Sequence, residues 1–162
     1  MLEDDFCYFL AVDFDEAEWQ ADASAFMQSC DELGVPATLE VSRSRQGAHI
    51  WVFFASRVLA RDARRLGTAI ISHTCNRTRQ LQLGSYDRLF PNQDIMPKGG
   101  FGNLIALPLQ KGPRESGGSI FVDATLRPYP DQWAFLASVI PMNAHDIEPT
   151  ILRAVSYTHL RA

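Results

Sequence analysis

Nearly continuous apolar runs alternate along the chain with segments whose apolar positions recur every three or four residues. Residues 6–14 form one such run, which predicts a buried strand. The acidic stretch that follows predicts the first turn of a helix with Asp15 as its N-cap. Apolar residues then recur at helical spacing as far as Leu33, and Gly34 ends the pattern. The first 34 residues therefore predict a strand followed by a helix.

The rest of the chain continues this alternation. Two apolar runs flank the polar turn 43–47, which predicts a hairpin. The predicted strands after the first are 38–42, 48–54, 102–109 and 119–123, and the predicted later helices are 59–73 and 130–139. Strands and helices mixed in this order predict an α+β fold with two layers.

Length and composition are those of a globular domain. The chain has 162 residues, of which 46% are hydrophobic, and no apolar run approaches the roughly 18 residues of a membrane span. Its acidic first residues differ from the basic start of a signal peptide. Three widely spaced cysteines cannot all pair within the chain. We therefore expect a reduced, cytoplasmic protein with no membrane association.

The net charge of −4 conceals an uneven distribution. Residues 1–41 contain eleven acidic and no basic residues, whereas residues 42–127 contain thirteen basic and five acidic residues. A basic central region is typical of a surface that binds phosphate or nucleic acid. The alternative is a solvated helix face, to which Arg57, Arg61, Arg64 and Arg65 would belong.

Three aspartates are the candidate metal ligands. Asp13 and Asp15 are two apart at the end of a strand, so their carboxylates point to the same side. Asp123 ends a later apolar strand in the same way. If the two strands are neighbours, three carboxylates converge and could hold two divalent ions for phosphoryl transfer. The alternative is that Asp15 only caps the helix.

The predicted hairpin carries a candidate anion site. His49 follows a turn that contains Ser42, Arg43 and Ser44, and these side chains could together bind a phosphate. The alternative is a histidine at the edge of the core that is hydrogen-bonded to the backbone. The spacing of His73 and Cys75 does not predict a zinc site, and no nucleotide-binding P-loop motif is present.

These residues occur in an order that resembles the three motifs of archaeo-eukaryotic primases: an Asp-x-Asp strand, a serine and histidine hairpin, and a lone Asp after a later strand. The longer segments 85–94, 97–110 and 129–133 resemble the primase domain of TOTE conflict systems. The resemblance implies a primase catalytic core with a layer like that of an RNA-recognition motif. One departure is Arg45, which stands where the family turn has glycine.

The resemblance also implies roles for individual residues. Asp13, Asp15 and Asp123 would bind Mg²⁺ or Mn²⁺, and His49, with Ser44 nearby, would hold the triphosphate of the incoming nucleotide. Arg88 and Lys98 are added here as candidate phosphate contacts that the family motif does not assign. The expected partners are a DNA template, nucleoside triphosphates, and the helicase and nuclease modules of the same defence system.

The leading hypothesis is a DNA primase or polymerase domain that joins nucleotides by two-metal catalysis. A metal-dependent nuclease and a non-catalytic nucleic-acid-binding module are the alternatives. We expect the catalytic domain to comprise residues 1–141 and a further segment to begin at residues 142–155. Residues 156–162 resemble a translated sequencing adapter, so we expect them to be a non-native tail.

Overall fold

The computed structural model describes residue 2 and residues 4–80, 82–100 and 104–159. Within these ranges it contains five strands and five α-helices, in keeping with the predicted α+β class. The elements in chain order are β1 (Phe6–Asp15), α1 (Trp19–Leu33), β2 (Ala37–Val41), β3 (Gly47–Leu59), α2 (Ala60–Thr78), β4 (Tyr86–Phe90), α3 (Lys111–Glu115), β5 (Ile120–Val122), α4 (Gln132–Ser138) and α5 (Ile147–His159).

The strands form one sheet in the order β4-β1-β3-β2-β5, and every neighbouring pair is antiparallel. The β2–β3 pair is the predicted hairpin. In register, Asp13 of β1 lies opposite His49 of β3, and His49 lies opposite Glu40 of β2. Directly opposed residues share a face of the sheet, so these three side chains form a row across its centre.

The helices α1, α2 and α5 cover one face of the sheet. Alternate residues of β1, beginning with Leu10, point to that face, as the period of a strand requires. They pack against apolar residues of all three helices, including Phe26, Ile70 and Ile151. This main core therefore lies between the sheet and one helical layer, which gives the predicted two-layer arrangement.

The opposite face of the sheet is only partly covered. Trp51 at its centre is fully buried, with Phe53 stacked beside it at 5.9 Å between ring centroids. Residues 105–109 and α4 pack over this aromatic cluster and form a second, smaller core. The end of the face that carries Asp13 and His49 borders an open cleft.

Several predicted boundaries are wrong, and the differences concern the functional residues. Helix α1 begins at Trp19, and Asp15 is the last residue of β1, so Asp15 does not cap the helix. The strand predicted at 102–109 is absent from its described part, 104–109; its first two residues lie outside the described residues, as do 160–162 of the expected tail. Strand β4 was not predicted, because its sequence has no clean alternation. Among the described residues, no helix combines the length and apolarity that crossing a membrane requires.

Candidate active site

Three carboxylates converge at one end of the open sheet face. Among the described residues, Asp13, Asp15 and Asp87 each offer a carboxylate oxygen, and these oxygens lie within 4.8 Å of one another. Asp13 and Asp15 come from β1, where a spacing of two residues puts both side chains on the open face. Asp87 comes from β4, the neighbouring edge strand.

A β-bulge brings Asp87 to this face. Asp13 pairs with Arg88, but the next residue, Phe14, pairs with Tyr86, so β4 has one extra residue at this point. Without the bulge, Asp87 would lie opposite Phe14 and point into the core. Tyr86 takes that place instead, with its ring 6.4 Å from the ring of Phe14. Re-aiming one side chain in this way is a common function of bulges beside active sites.

Two contacts anchor the residue that precedes β4. The backbone carbonyl of Ser85 accepts a hydrogen bond from the backbone N–H of Asp15 at 2.8 Å. The buried carboxylate of Asp22 in α1 accepts hydrogen bonds from the backbone N–H of Ser85 at 3.0 Å and from its hydroxyl at 2.7 Å. These bonds fix the start of β4 against β1 and thereby help to define the position of Asp87.

Asp13 has the electrostatic character of a cation ligand. Its Oδ1 atom is buried and makes no hydrogen bond to any described residue. Burial raises its pKa to about 6; the charges of Asp15 and Asp87 add to the rise, and those of His49 and Arg88 oppose it. A buried carboxylate oxygen without a donor is costly unless a cation binds it. Because all the converging ligand atoms are carboxylate oxygens, the cluster fits a hard divalent ion such as Mg²⁺ or Mn²⁺.

Asp123 does not join this cluster, which corrects the sequence-based expectation. It follows β5, and two strands separate β5 from β1 in the sheet. Three strand spacings amount to about 14 Å, well beyond the reach of one metal site. Its Oδ1 instead accepts hydrogen bonds from Thr125 and from the backbone N–H of Arg127 at 3.0 Å. The hydrogen bonds from Thr125 are the main cause that lowers the pKa of Asp123.

His49 lies between a buried carboxylate and the cluster. Its Nδ1 atom is 3.0 Å from Oε2 of Glu40, and its Nε2 atom is 3.5 Å from Oδ1 of Asp13. Burial lowers the pKa of His49, but its hydrogen bond to Glu40 and the nearby negative charges outweigh this and hold the pKa above its usual value. The partner of its ring is thus a side chain and not the backbone that the alternative interpretation assumed.

The loop between β2 and β3 (residues 42–46) forms one wall of the site. The hydroxyls of Ser42 and Ser44 are 3.0 Å apart, and the Ser44 hydroxyl accepts a hydrogen bond from the backbone N–H of Gln46. Arg45 adopts the left-handed conformation, with φ of 63°, at the position where the sequence resemblance predicts glycine. Its guanidinium donates to the backbone carbonyl of Ser116 at 3.1 Å, which stabilises this conformation.

Gly47 permits the close approach of this loop to the acidic strand. A Cβ atom at this position would overlap the backbone carbonyl of Phe14 and the carboxylate of Asp15. No side chain is tolerated at such a contact without displacement of the backbone. Gly47 therefore fixes the hairpin against the end of β1, next to two of the three carboxylates.

The cluster, His49 and the loop line one open cleft of about 400 Å³. The cleft brings together most of the residues that the sequence singled out. Its described lining is Asp13, Asp15, Ser42, Arg43, Ser44, His49, Asp87, Arg88, Phe90, Leu104, Ile105 and Ala106. Lys98 is exposed and is not among these lining residues. Arg88 lies in the cleft and donates a hydrogen bond to Asp87, which raises the pKa of Arg88.

Three arginines of α2 form ion pairs at the surface, in keeping with the alternative interpretation. Arg61 pairs with Asp62, Arg64 with Asp94, and Arg65 with Glu148. Arg57 lies in β3 and pairs with Asp4. Exposed pairs of this kind contribute little to stability, but each offsets the positive charge of its arginine.

Sequence reasoning missed two residues of the site. Asp87 was overlooked because β4 was not recognised, and the bulge that orients it has no sequence signature. Glu40 did leave a signal, because it is the single charged residue in a short predicted strand and shares a face with the hairpin serine Ser42. An acid at such a position predicts a buried carboxylate with dedicated hydrogen-bond donors.

Comparison with known families gives a match over nearly the whole chain. The model of the TOTE conflict system archaeo-eukaryotic primase domain matches residues 1–150. The matched region includes all five strands and every residue of the cleft described above. None of the curated proteins compared with the chain matches it.

Proposed function

Because the chain belongs to the archaeo-eukaryotic primase domains of TOTE conflict systems, we propose that it is a template-directed nucleotidyltransferase. It would transfer nucleotides from nucleoside triphosphates to a 3′-hydroxyl on a DNA template. The observation that carries this proposal is the convergence of three carboxylates, a histidine and a serine loop in one cleft. A nuclease would require the carboxylates alone and would leave the histidine and the serine loop without a role.

Asp13, Asp15 and Asp87 would hold Mg²⁺ or Mn²⁺ in this reaction. Bound divalent ions would neutralise the charge on the phosphates and favour ionisation of the attacking hydroxyl. The buried Oδ1 of Asp13, which lacks a donor, supports a ligand role. The 4.8 Å limit on the separations among the ligand oxygens supports a shared site.

The loop between β2 and β3, together with Arg88 on β4, would bind the triphosphate. Arg43 and Arg88 supply positive charge, and Ser42 and Ser44 supply hydroxyl donors. His49 would donate a hydrogen bond from Nε2, the ring nitrogen that faces the cluster. Lys98, which is exposed and does not line the cleft, stays a candidate phosphate contact.

The family also indicates the cellular context. A primase domain of a conflict system acts on nucleic acid and nucleotides, and we propose that helicase and nuclease modules of the same system are its partners. The DNA strand would be supplied to the cleft by those modules. The residues described here provide the nucleotide site for that assembly.

The proposed function is tested by incorporation of labelled nucleotides on primed and unprimed DNA templates. We expect incorporation with Mg²⁺ or Mn²⁺ and none after chelation with EDTA. Asp87→Asn should abolish incorporation, whereas Asp123→Asn should retain it, because Asp87 belongs to the carboxylate cluster and Asp123 does not. Loss of activity in Asp123→Asn but not in Asp87→Asn would refute the proposed ligand set.

The same reactions, run with end-labelled DNA, test the alternatives. Metal-dependent shortening of the DNA without incorporation would identify a nuclease. DNA binding that is unchanged by EDTA, with neither reaction, would identify a non-catalytic binding module. Either result would refute nucleotidyl transfer by this chain.

A further inference from the structure

Glu40 is a buried carboxylate directly behind His49. It is 1% exposed and belongs to the row of opposed residues across the sheet that also contains His49 and Asp13. Three donors surround it: Oε2 lies 3.0 Å from Nδ1 of His49 and 2.6 Å from Nε1 of Trp51, and Oε1 lies 3.2 Å from the hydroxyl of Ser119. A carboxylate so enclosed has every donor it needs without solvent.

These contacts constrain the histidine ring. The Nδ1 atom faces Oε2 of Glu40 at 3.0 Å and donates to it, so the ring can also donate from Nε2 only as the imidazolium cation. The opposite nitrogen, Nε2, then points to the cleft and lies 3.5 Å from Oδ1 of Asp13. Glu40 itself is not among the described residues that line the cleft. Of the three residues that donate to Glu40, only His49 is among the described residues that line the cleft.

We propose that Glu40 is the positioning residue that orients His49 for contact with the nucleotide triphosphate. Its hydrogen bond to Nδ1 fixes the ring rotation, so that Nε2 is presented to the cleft. The inference rests on the proposed function, because it takes the triphosphate as the ligand of His49. The competing interpretation is that Glu40 serves only to satisfy Trp51 and Ser119 within the sheet.

The first test is the ¹⁵N NMR spectrum of the His49 imidazole in the metal-free protein without nucleotide. Wild type should show a protonated Nδ1, and Glu40→Gln should preserve it, because the amide oxygen still accepts from the ring and from Trp51. Glu40→Met removes the acceptor, so the signal of a hydrogen-bonded Nδ1–H should be lost. An unchanged His49 spectrum in Glu40→Met would overturn the proposal.

The second test is binding of a non-hydrolysable deoxynucleoside triphosphate analogue in the presence of Mg²⁺. Loss of one charge-assisted contact corresponds to a weakening of about tenfold or more, which we expect for Glu40→Met. Glu40→Gln should stay within about threefold of wild type, since a retained acceptor retains the ring orientation. Ser119→Ala is the matched control: it removes a donor to the other oxygen of Glu40 and should leave binding within about twofold.

The double variant separates positioning from a general effect on the fold. If Glu40 acts through His49, then Glu40→Met should weaken analogue binding no further once His49→Ala is present. An equal loss in both backgrounds would overturn the proposal. If Glu40→Met does not fold, Glu40→Asp replaces it, because the shorter side chain keeps the charge but withdraws the acceptor from the ring.

Failure of this inference is distinguishable from failure of the proposed function. The NMR and analogue-binding measurements require no catalysis. A protein that binds the analogue as described, but never incorporates nucleotides, would refute nucleotidyl transfer and leave the role of Glu40 intact. Normal incorporation by the wild type, together with unaltered analogue binding by Glu40→Met, would refute the role of Glu40 and leave nucleotidyl transfer intact.

Discussion

Replacement of Asp13 by asparagine should stabilise the metal-free protein while it removes one ligand of the proposed metal site. The side chain of Asp13 is 15% exposed, and burial together with Asp15 and Asp87 raises its pKa from 3.8 to about 6. A tenfold change in an acid dissociation constant corresponds to about 1.4 kcal/mol, so ionised Asp13 costs the folded state about 3 kcal/mol at pH 7.5. The amide side chain of the Asp13→Asn variant is neutral at every pH and avoids that cost.

The sign of the pH dependence follows from the raised pKa. The contribution of Asp13 to stability is fully present below pH 3.8 and is lost as the pH rises through about 6. The advantage of Asp13→Asn should therefore be below about 1 kcal/mol at pH 4 and grow to about 3 kcal/mol at pH 7.5. For a chain of this length, a gain of about 3 kcal/mol corresponds to a Tm increase of about 6 to 12 °C.

The assay is urea and thermal unfolding in EDTA at both pH values, repeated with Mg²⁺. The metal should raise the Tm of wild type much more than that of Asp13→Asn, because only the former retains the ligand. Asp123→Asn is the control of opposite sign, since the pKa of Asp123 is lowered and its carboxylate stabilises the fold above its usual pKa. Equal stability of wild type and Asp13→Asn in EDTA at pH 7.5 would refute the reasoning, as would a gain that persists at pH 4.

Three further predictions concern the cleft and the DNA surface. His49→Ala should raise the KM for nucleotide by roughly 10- to 150-fold and leave DNA binding unchanged. The increase in KM should be smaller for His49→Asn, because its amide still donates a hydrogen bond. Intact nucleotide affinity in a destabilised His49→Ala protein would favour a purely structural histidine. Gly47→Ala should impair Mg²⁺ binding measured by calorimetry, because its methyl group would displace Asp15; wild-type affinity would contradict that contact. In a plot of log DNA affinity against log salt concentration, the slope should steepen by about one unit for each phosphate contacted. Arg61→Ala should leave this slope unchanged, because Asp62 already pairs with Arg61. A slope near zero in wild type would exclude phosphate contacts.

The sequence sufficed for the elements with strong local patterns. The apolar run of β1, the helical spacing of α1 and the polar turn of the β2–β3 hairpin are all present as predicted, with shifts at their ends. Each depends on neighbours in the chain, and local preferences determine such features. The family resemblance also singled out residues of β1 and of the hairpin that line the cleft, because each of these two motifs is short and continuous in sequence.

The third carboxylate could not be found in this way. Asp87 follows an aromatic residue and Asp123 an aliphatic one, and only strand order decides which of the two lies beside β1. Strand order and the one-residue bulge are set by long-range pairing, which no local pattern encodes. The prediction was wrong because it assumed that β5 was the neighbour of β1.

The two acids of the central row, Glu40 and Asp13, differ in how their carboxylates are satisfied. Glu40 and Asp13 flank His49 on adjacent strands. The fold gives Glu40 a full set of donors from His49, Trp51 and Ser119, which shows that this sheet can satisfy a buried carboxylate. Asp13 makes no hydrogen bond at Oδ1, from which Nε2 of His49 is 3.5 Å away, and it faces two further carboxylates. Stability alone would favour a neutral or satisfied group there. The proposed metal site accounts for the acid, and the gain measured for Asp13→Asn in EDTA would give the size of its cost to the fold.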